Sequence, residues 1–421
     1  MSRPILFYYE SEGKIYYLDN DTGLLGCDTK QNLKFGKAEC KYNVFHLFKD
    51  YDHDLVRFRD EFIRCADELK ALERDDIDYY KYYHHNSAVE LTWNRWSNST
   101  SKIEAVAFEE FLFMEKCNNG GLIHLTPKYA NTSTECYGYD FTAFYPNMLI
   151  HEDLKIPTLQ GIPTKLAEID YSNLKYGIYH VVISCNNTDF KKVFSFSKDN
   201  YYTHYSLQFA YQYKESFDIK FELVQDDKPN ALIYDCVMLS SMVVFYNWYS
   251  RLFNNKKHFV KKNMLFKRLT STLWGSIVRC QHQILNDEQM ADLDFDELRD
   301  VLAGDETDAE LVIIDKKFSH TNGIIKTLYF TINKSNPYKY NMARLKPFML
   351  SFARNYVGRL ILDNGLIDNV IRIQTDGIVL NKSFDFKGDY IPIIEDKTTG
   401  TIFWNNVNKY NKIDDKKDIE E

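Results

Sequence analysis

At 421 residues, 44% hydrophobic and 27% charged, the chain is large enough for two or three domains and has a globular, not a disordered, composition; its net charge of −8 argues against a uniformly cationic nucleic-acid coat. The longest apolar run, around Cys236 to Tyr249, carries Ser and Asn and is too short to span a bilayer, and the N-terminus lacks the pattern of a secretory signal, so no membrane partner is expected. Eight scattered cysteines without a C-x-x-C pair exclude zinc and a disulfide framework from the default reading and point to an intracellular, reducing compartment.

In chain order, residues 4–35 hold two alternating runs separated by Glu12-Gly13 and predict a hairpin or small sheet. Leu55, Phe58, Phe62, Cys65, Leu69 and Leu72 recur at helical spacing and predict an amphipathic helix over 53–74. Residues 77–115 read as helical, with Trp93 and Trp96 in the core, until Gly120-Gly121 breaks the pattern. Cys136 to Tyr139 ends a strand that leads through Asp140 into a turn and a short helix, with Pro146 tolerated in its first turn. Alternation predicts strands over 175–184 and 218–225, with a helix over 201–213 between them. Two long helices are expected over 230–280, joined around Asn254-Asn255, and an acidic helix-prone stretch over 284–307. Leu311–Asp315 and Ile325–Ile332 predict a hairpin, residues 339–363 an amphipathic helix, and Val370–Leu380 a second hairpin. The remainder reads as a hairpin-like tail with a charged end.

Three stretches carry chemistry. Asp140, at a strand end followed at once by a helix start, suits a cation, but one carboxylate does not hold a catalytic metal pair. A second comes from Thr375-Asp376-Gly377, where Asp376 sits at a hairpin tip and Gly377 is expected to take the positive φ; alone, this is an ordinary turn. The third is a basic island: eight Lys or Arg and no acid between Arg251 and His282. As one helix, 256–278 would line up Lys256, Val260, Asn263, Lys267, Ser271 and Trp274, cations for a triphosphate and an aromatic face for a base, with Gly275 allowing close approach. Together, two separated carboxylates and a cationic helix are equipment for nucleotidyl transfer.

In that order the chain resembles family B DNA polymerases. Tyr139-Asp-Phe-Thr-Ala-Phe-Tyr-Pro146 is similar to motif A (D-x-x-S-L-Y-P), Lys267 to Gly275 to motif B (K-x-x-x-N-S-x-Y-G), and Gln374-Thr-Asp-Gly377 to motif C (D-T-D-S). Asn118-Asn-Gly-Gly121 looks like a weakened Y-x-G-G element of the protein-primed branch, and the spacings leave room for that branch's two insertions, the 311–332 hairpin fitting the second. The resemblance implies an α+β right-hand fold: a palm with an antiparallel sheet (122–235 and 340–385), helical fingers (236–282), an insertion (283–339), a thumb-like tail (386–421), and a reduced N-terminal α+β domain (1–116). It implies that Asp140 and Asp376 bind two magnesium ions, with manganese able to substitute. The amides of Phe141, Thr142, Ala143 and Phe144 would approach the triphosphate, and Lys267, helped by Lys256, would neutralise it. Tyr145 resembles the steric gate that rejects a 2′-hydroxyl; Ser271 and Trp274 complete the nucleotide site. Gly120, Gly121, Gly275 and Thr375 fall where the family meets DNA; Lys409-Tyr410 is a loose match to a K-x-Y primer-contact motif, where plain surface weighs more. The implied partners are template-primer DNA, a dNTP and a terminal protein primer, in a host cell if the genome is viral.

The departures are specific. Ser271, Thr272 and Trp274 replace Asn, Ser and Tyr of motif B; Arg372, Gln374 and Gly377 replace Tyr, the first Asp and Ser around motif C. Asp28-Thr-Lys lacks the second acid of a proofreading motif, and Tyr82 to Ser87 lacks the Asp of another, so the N-terminal part reads as an exonuclease remnant or as half of a domain completed by another chain. Two rivals remain at this stage: a template-independent or RNA-using nucleotidyltransferase, and an inactive polymerase-fold subunit for DNA binding or replication assembly. Retention of both Asp140 and Asp376 weighs against the second.

Overall fold

The computed structural model describes residues 4–34, 43–47, 52–73, 93, 97, 103–117, 119–253, 272–280, 282–284, 311–321, 324–386, 391, 393–395 and 398–413. The chain falls into two compact units: Met1–Asn98 with Phe245–Ser276, and Ser99–Val244 with Ile277–Glu421. No helix among the described residues is long and apolar enough to cross a membrane.

In the first unit, β1 (Ile5–Ser11) and β2 (Lys14–Asp19) form the expected hairpin, extended by β3 (Leu25–Asp28) on β2 and by β4 (Asn43–His46) parallel to β1. Helix α1 (Leu55–Glu73) starts at Asp54, whose carboxylate accepts from the Arg57 amide at 2.9 Å and so caps an orphan N–H. Its Leu55, Phe58, Phe62 and Cys65 are buried as their spacing requires. Phe58 and Phe62 meet Phe7 edge-on, centroids 5.6 and 5.2 Å apart, in the offset geometry that aromatic quadrupoles favour. Trp93 is buried against Phe245; Trp96 lies outside the described residues.

The second unit contains α2 (Phe108–Lys116) and a seven-stranded antiparallel sheet of β5 (Ile123–Leu125), β6 (Ser133–Phe141), β17 (Val370–Gln374), β18 (Gly377–Leu380), β19 (Ile393–Glu395), β20 (Gly400–Asn406) and β21 (Lys409–Lys412), in the order β21-β20-β6-β18-β17-β5 with β19 also on β6. Helix α3 (Phe144–Leu149) follows β6 directly. A short pair joins β7 (Lys155–Pro157) to β13 (Met238–Ser240). A five-stranded sheet is made of β8 (Ile162–Thr164), β9 (Gly177–Ser184), β10 (Tyr201–Thr203), β11 (Lys220–Leu223) and β12 (Ala231–Ile233). Helix α4 (His204–Gln212) comes next, then α5 (Ser241–Phe253), whose residues from Phe245 on are counted in the first unit, and β14 (His282–Ile284) on the long hairpin β15 (Leu311–Thr321) and β16 (Ile324–Asn333). The last helix, α6 (Lys346–Asp363), precedes β17.

Three expectations are corrected. The helix expected over 201–213 begins as a strand: Tyr201-Tyr202-Thr203 pairs with β9, and the Thr203 hydroxyl then accepts from the Ser206 amide to open α4. Residues 230–240 are not helical, because Ala231–Ile233 fills the slot between β9 and β8 and is buried throughout. Helix α6 is not amphipathic: twelve of its eighteen residues are buried, so it is a central helix packed on more than one side. Gly358 shows how closely, since a Cβ there would lie 2.8 Å from the Phe209 ring and 2.9 Å from the Val193 carbonyl. The acidic stretch 284–307 lies almost wholly outside the described residues.

A buried ion pair sets α2 in place. The guanidinium of Arg344 donates to both oxygens of Glu110 and to the carbonyls of Glu104 and Ala105, and the Tyr234 hydroxyl donates to Glu110 at 2.7 Å. With its polar atoms this well satisfied, the pair fixes the start of the segment that runs from α2 to Gly121.

Candidate active site

Two adjacent strands bring the backbones of Asp140 and Asp376 to the same end of one sheet. In the β6–β18 ladder Asp140 stands opposite Gly377, so Asp376, one residue earlier, sits at the same end of the neighbouring strand. The Phe141 amide donates to the Asp376 carbonyl at 3.1 Å, which locks the β17–β18 turn to the end of β6. Asp140 and Asp376, 236 residues apart in sequence, thus stand one residue out of register at the same end of adjacent strands. Both aspartates are partly exposed. Their hard oxygen donors are those magnesium takes while keeping several waters or substrate oxygens. Among the described residues no group of three or more His, Cys, Asp or Glu is arranged to hold a metal.

Both turns that carry the site use left-handed backbone without glycine. Thr375 has φ +60°, whereas Gly377 does not have a positive φ; the expectation that Gly377 takes that conformation is therefore corrected. A β-branched residue there is a steric outlier held by its surroundings. The Thr375 amide donates to the Leu122 carbonyl at 2.7 Å. Gly121 passes so close that a Cβ on it would lie 2.6 Å from the Thr375 hydroxyl. On the other strand Ala143 has φ +50° and ψ +50° at the entry to α3. Asn147 supports it, its amide nitrogen donating to the carbonyls of Thr142 and Ala143 at 2.9 and 3.0 Å. The Phe141 amide is thus engaged in the sheet, while Thr142, Ala143 and Phe144 form the turn beyond it.

Tyr145, half-buried on α3, neighbours both Asp376 and Arg354. Burial and the Asp376 charge push its hydroxyl up to about 12, and the Arg354 cation opposes that shift; it is a neutral phenol at physiological pH. Phe141 and Phe144 stack at 5.0 Å beside it, and Tyr356 meets both rings. Arg354, from the middle of α6, is buried, and its guanidinium donates to the carbonyls of Asn119 and Gly120 at 2.8 and 2.7 Å. Burial lowers its pKa to about 10, which leaves it charged.

The other predicted residues stand as follows. Trp274 is half-buried and Gly275 exposed in the short helix Leu273–Ile277, in the first unit. Lys256, Lys267 and Ser271 lie outside the described residues. A Cβ at Gly120 or Gly275 would meet nothing within 4 Å. Lys409 is exposed on β21, and the Tyr410 ring packs 5.3 Å from Trp404. The departures at motif C have a local use: Arg372 lies over the rings of Trp404 and Tyr410 and donates to the Val407 carbonyl at 2.7 Å, and Gln374 donates to Asn408 at 3.1 Å. Both tie β17 to the β20–β21 hairpin.

No protein-family model matches the chain, and no curated protein matches its sequence. Solved structures do match. Phi29 DNA polymerase complexed with single-stranded DNA superposes with a TM-score of 0.58 at 10% identity, over 97% of this chain and 87% of that one. Its ternary complex with primer-template DNA and incoming nucleotide gives 0.53 at 9% identity, over 91% and 81%. At the coarse level this is the fold of Phi29 DNA polymerase. The likeness to Phi29 DNA polymerase fits the family B, protein-primed resemblance of the motifs, and at such identity it speaks to fold alone. Sequence reasoning missed three residues on that scaffold: Arg354, Asn147 and Arg372. For Arg354 a signal existed, a lone cation in the apolar run Phe348–Val357, but it reads equally as a solvated helix position.

Proposed function

We propose that the chain is a DNA-directed DNA polymerase of right-hand layout that adds dNTPs to a primer 3′-hydroxyl by two-metal nucleotidyl transfer, in protein-primed replication. The observation that carries this reading is the convergence of Asp140 and Asp376 on one ladder step within a fold shared with Phi29 DNA polymerase. In this reading the seven-stranded sheet and α6 belong to the palm, residues 236–282 to the fingers, 283–339 to the insertion and 386–421 to a thumb-like tail. Asp140 and Asp376 hold two magnesium ions, which when bound lower the pKa of the primer hydroxyl and offset charge on the departing pyrophosphate. The backbone after Phe141 lies against the triphosphate, and Tyr145, neutral and wedged beside Phe144, presents its ring to the sugar. Lys267 and Lys256 neutralise the triphosphate, Trp274 stacks on the base, and Gly120, Gly121, Gly275 and Thr375 lie along the DNA.

Primer extension with magnesium and dNTPs tests the reading. The parent extends a primed template; a parent that binds DNA but adds no nucleotide is a binding subunit, and the reading is lost. Tyr145→Ala is expected to admit ribonucleotides, and unchanged sugar discrimination removes Tyr145 from that role. Transfer of labelled dAMP onto a partner protein tests protein priming separately.

A further inference from the structure

We propose that Arg354 is a positioning residue for the metal-binding turn: through the 119–121 segment it holds Thr375 in its left-handed conformation and thereby fixes where the Asp376 carboxylate stands. The inference rests on the reading of Asp376 as a cation ligand.

The linkage is continuous. Arg354 is buried, and its hydrogen-bond acceptors among the described residues are two consecutive backbone carbonyls, Asn119 and Gly120. One guanidinium nitrogen, Nη1, donates to both carbonyls and so holds them in fixed relation, and burial of this cation with no carboxylate paired to it in the described residues is costly unless the bonds it makes are needed. The next residue, Gly121, lies against the Thr375 side chain too closely for any Cβ. The one after, Leu122, accepts the Thr375 amide at 2.7 Å. Thr375 is thus gripped on its side chain and its backbone by a segment that Arg354 anchors, and strained backbone persists only where the surroundings over-determine it. Beyond Thr375 the carbonyl of Asp376 is held by the Phe141 amide, which leaves its carboxylate little latitude relative to Asp140. The same guanidinium also acts electrostatically on Tyr145, on the Asp140 side of the site. Groups that orient metal ligands without touching the metal typically carry 10- to 100-fold in affinity.

The test is manganese binding by the whole chain without DNA or nucleotide, followed by electron paramagnetic resonance, with circular dichroism to establish that each variant is folded. Arg354→Met is expected to weaken manganese affinity about tenfold or more. Arg354→Lys, which keeps a cationic donor but not the length and planarity that place Nη1 between the two carbonyls, is expected to fall between it and the parent. Gly121→Ala should weaken binding to a similar extent from the opposite side of the linkage, and adding Thr375→Gly to it should restore part of the loss by removing the contacting side chain. A purely packing role for Arg354 would lower thermal stability and leave the affinity of the folded protein unchanged. If Asp376→Ala loses manganese while folded Arg354→Met and Gly121→Ala bind as the parent does, the positioning role is overturned and the polymerase reading stands. If Asp376→Ala binds manganese as the parent does, the metal-site reading falls and this inference falls with it. Should Arg354→Met not fold, Gly121→Ala carries the same comparison.

Discussion

Two tight hairpin turns in this chain solve the same geometric problem in opposite ways. Between β1 and β2, Ser11 pairs with Lys14 and the two residues between them, Glu12 and Gly13, have φ +50° and +76°. That is the pattern of a type I′ turn, whose twist matches the strands, and Gly13 has open space around it. Between β17 and β18, Gln374 pairs with Gly377, and the left-handed residue is Thr375, next to an available glycine that does not take the conformation. The first turn also puts a non-glycine, Glu12, in the left-handed region, but it is unbranched at Cβ and is followed by a glycine that shares the conformation. The second holds an unfavourable conformation under a carboxylate, gripped by Gly121 and Leu122. Strain of this kind marks where geometry is worth more than stability.

Five substitutions can break or sharpen that contrast. Asp376→Ala should lower primer extension on the order of 10³-fold, because several kcal/mol of transition-state stabilisation are removed. Glu12→Ala in the other turn should leave extension unchanged, and equal effects in the two would dissolve the comparison. Gly13→Ala places a Cβ at φ +76° and should cost about 1–2 kcal/mol in urea denaturation. Thr375→Gly should have the opposite character: relief of left-handed strain offsets the entropy of the new glycine, so stability holds or rises by up to about 1 kcal/mol while extension falls. A stability loss equal to that of Gly13→Ala would show that Thr375 is not strained. Gly377→Ala, at a residue without positive φ whose Cβ would sit in ordinary contact at 3.6 Å, should shift stability by less than about 0.5 kcal/mol.

The same contrast explains what could be read from the sequence. The β1–β2 hairpin, α1, the strand–turn–helix at Asp140 and the hairpin at Asp376 are local patterns, and period and turn chemistry reveal them. The identity of the left-handed residue was not legible, because Gly377 is the residue to which a positive φ comes cheaply, yet it is held as a strand residue opposite Gln374 and Asp140, the latter more than 230 residues away in sequence. Arg354 was missed for a related reason: a lone cation on a helix reads equally as a solvated position, and its two carbonyl acceptors come from a loop that no local pattern links to α6. Tyr201–Thr203 and Ala231–Ile233 are strands because β9 lies between them, a tertiary cause that overrides their helix-compatible composition. The basic island was legible as charge, but Lys256 and Lys267 lie outside the described residues.

The β20–β21 hairpin has a practical consequence for anyone who would shorten this protein or append a label to it. Cys136 pairs with Gly400, and Arg372 and Gln374 reach across to Val407 and Asn408. Severing the polypeptide ahead of residue 400 would bare the margin of β6 and abandon a guanidinium beneath the β17–β18 hairpin. The final strands behave as masonry, and damage to them should be felt at the far end of the sheet.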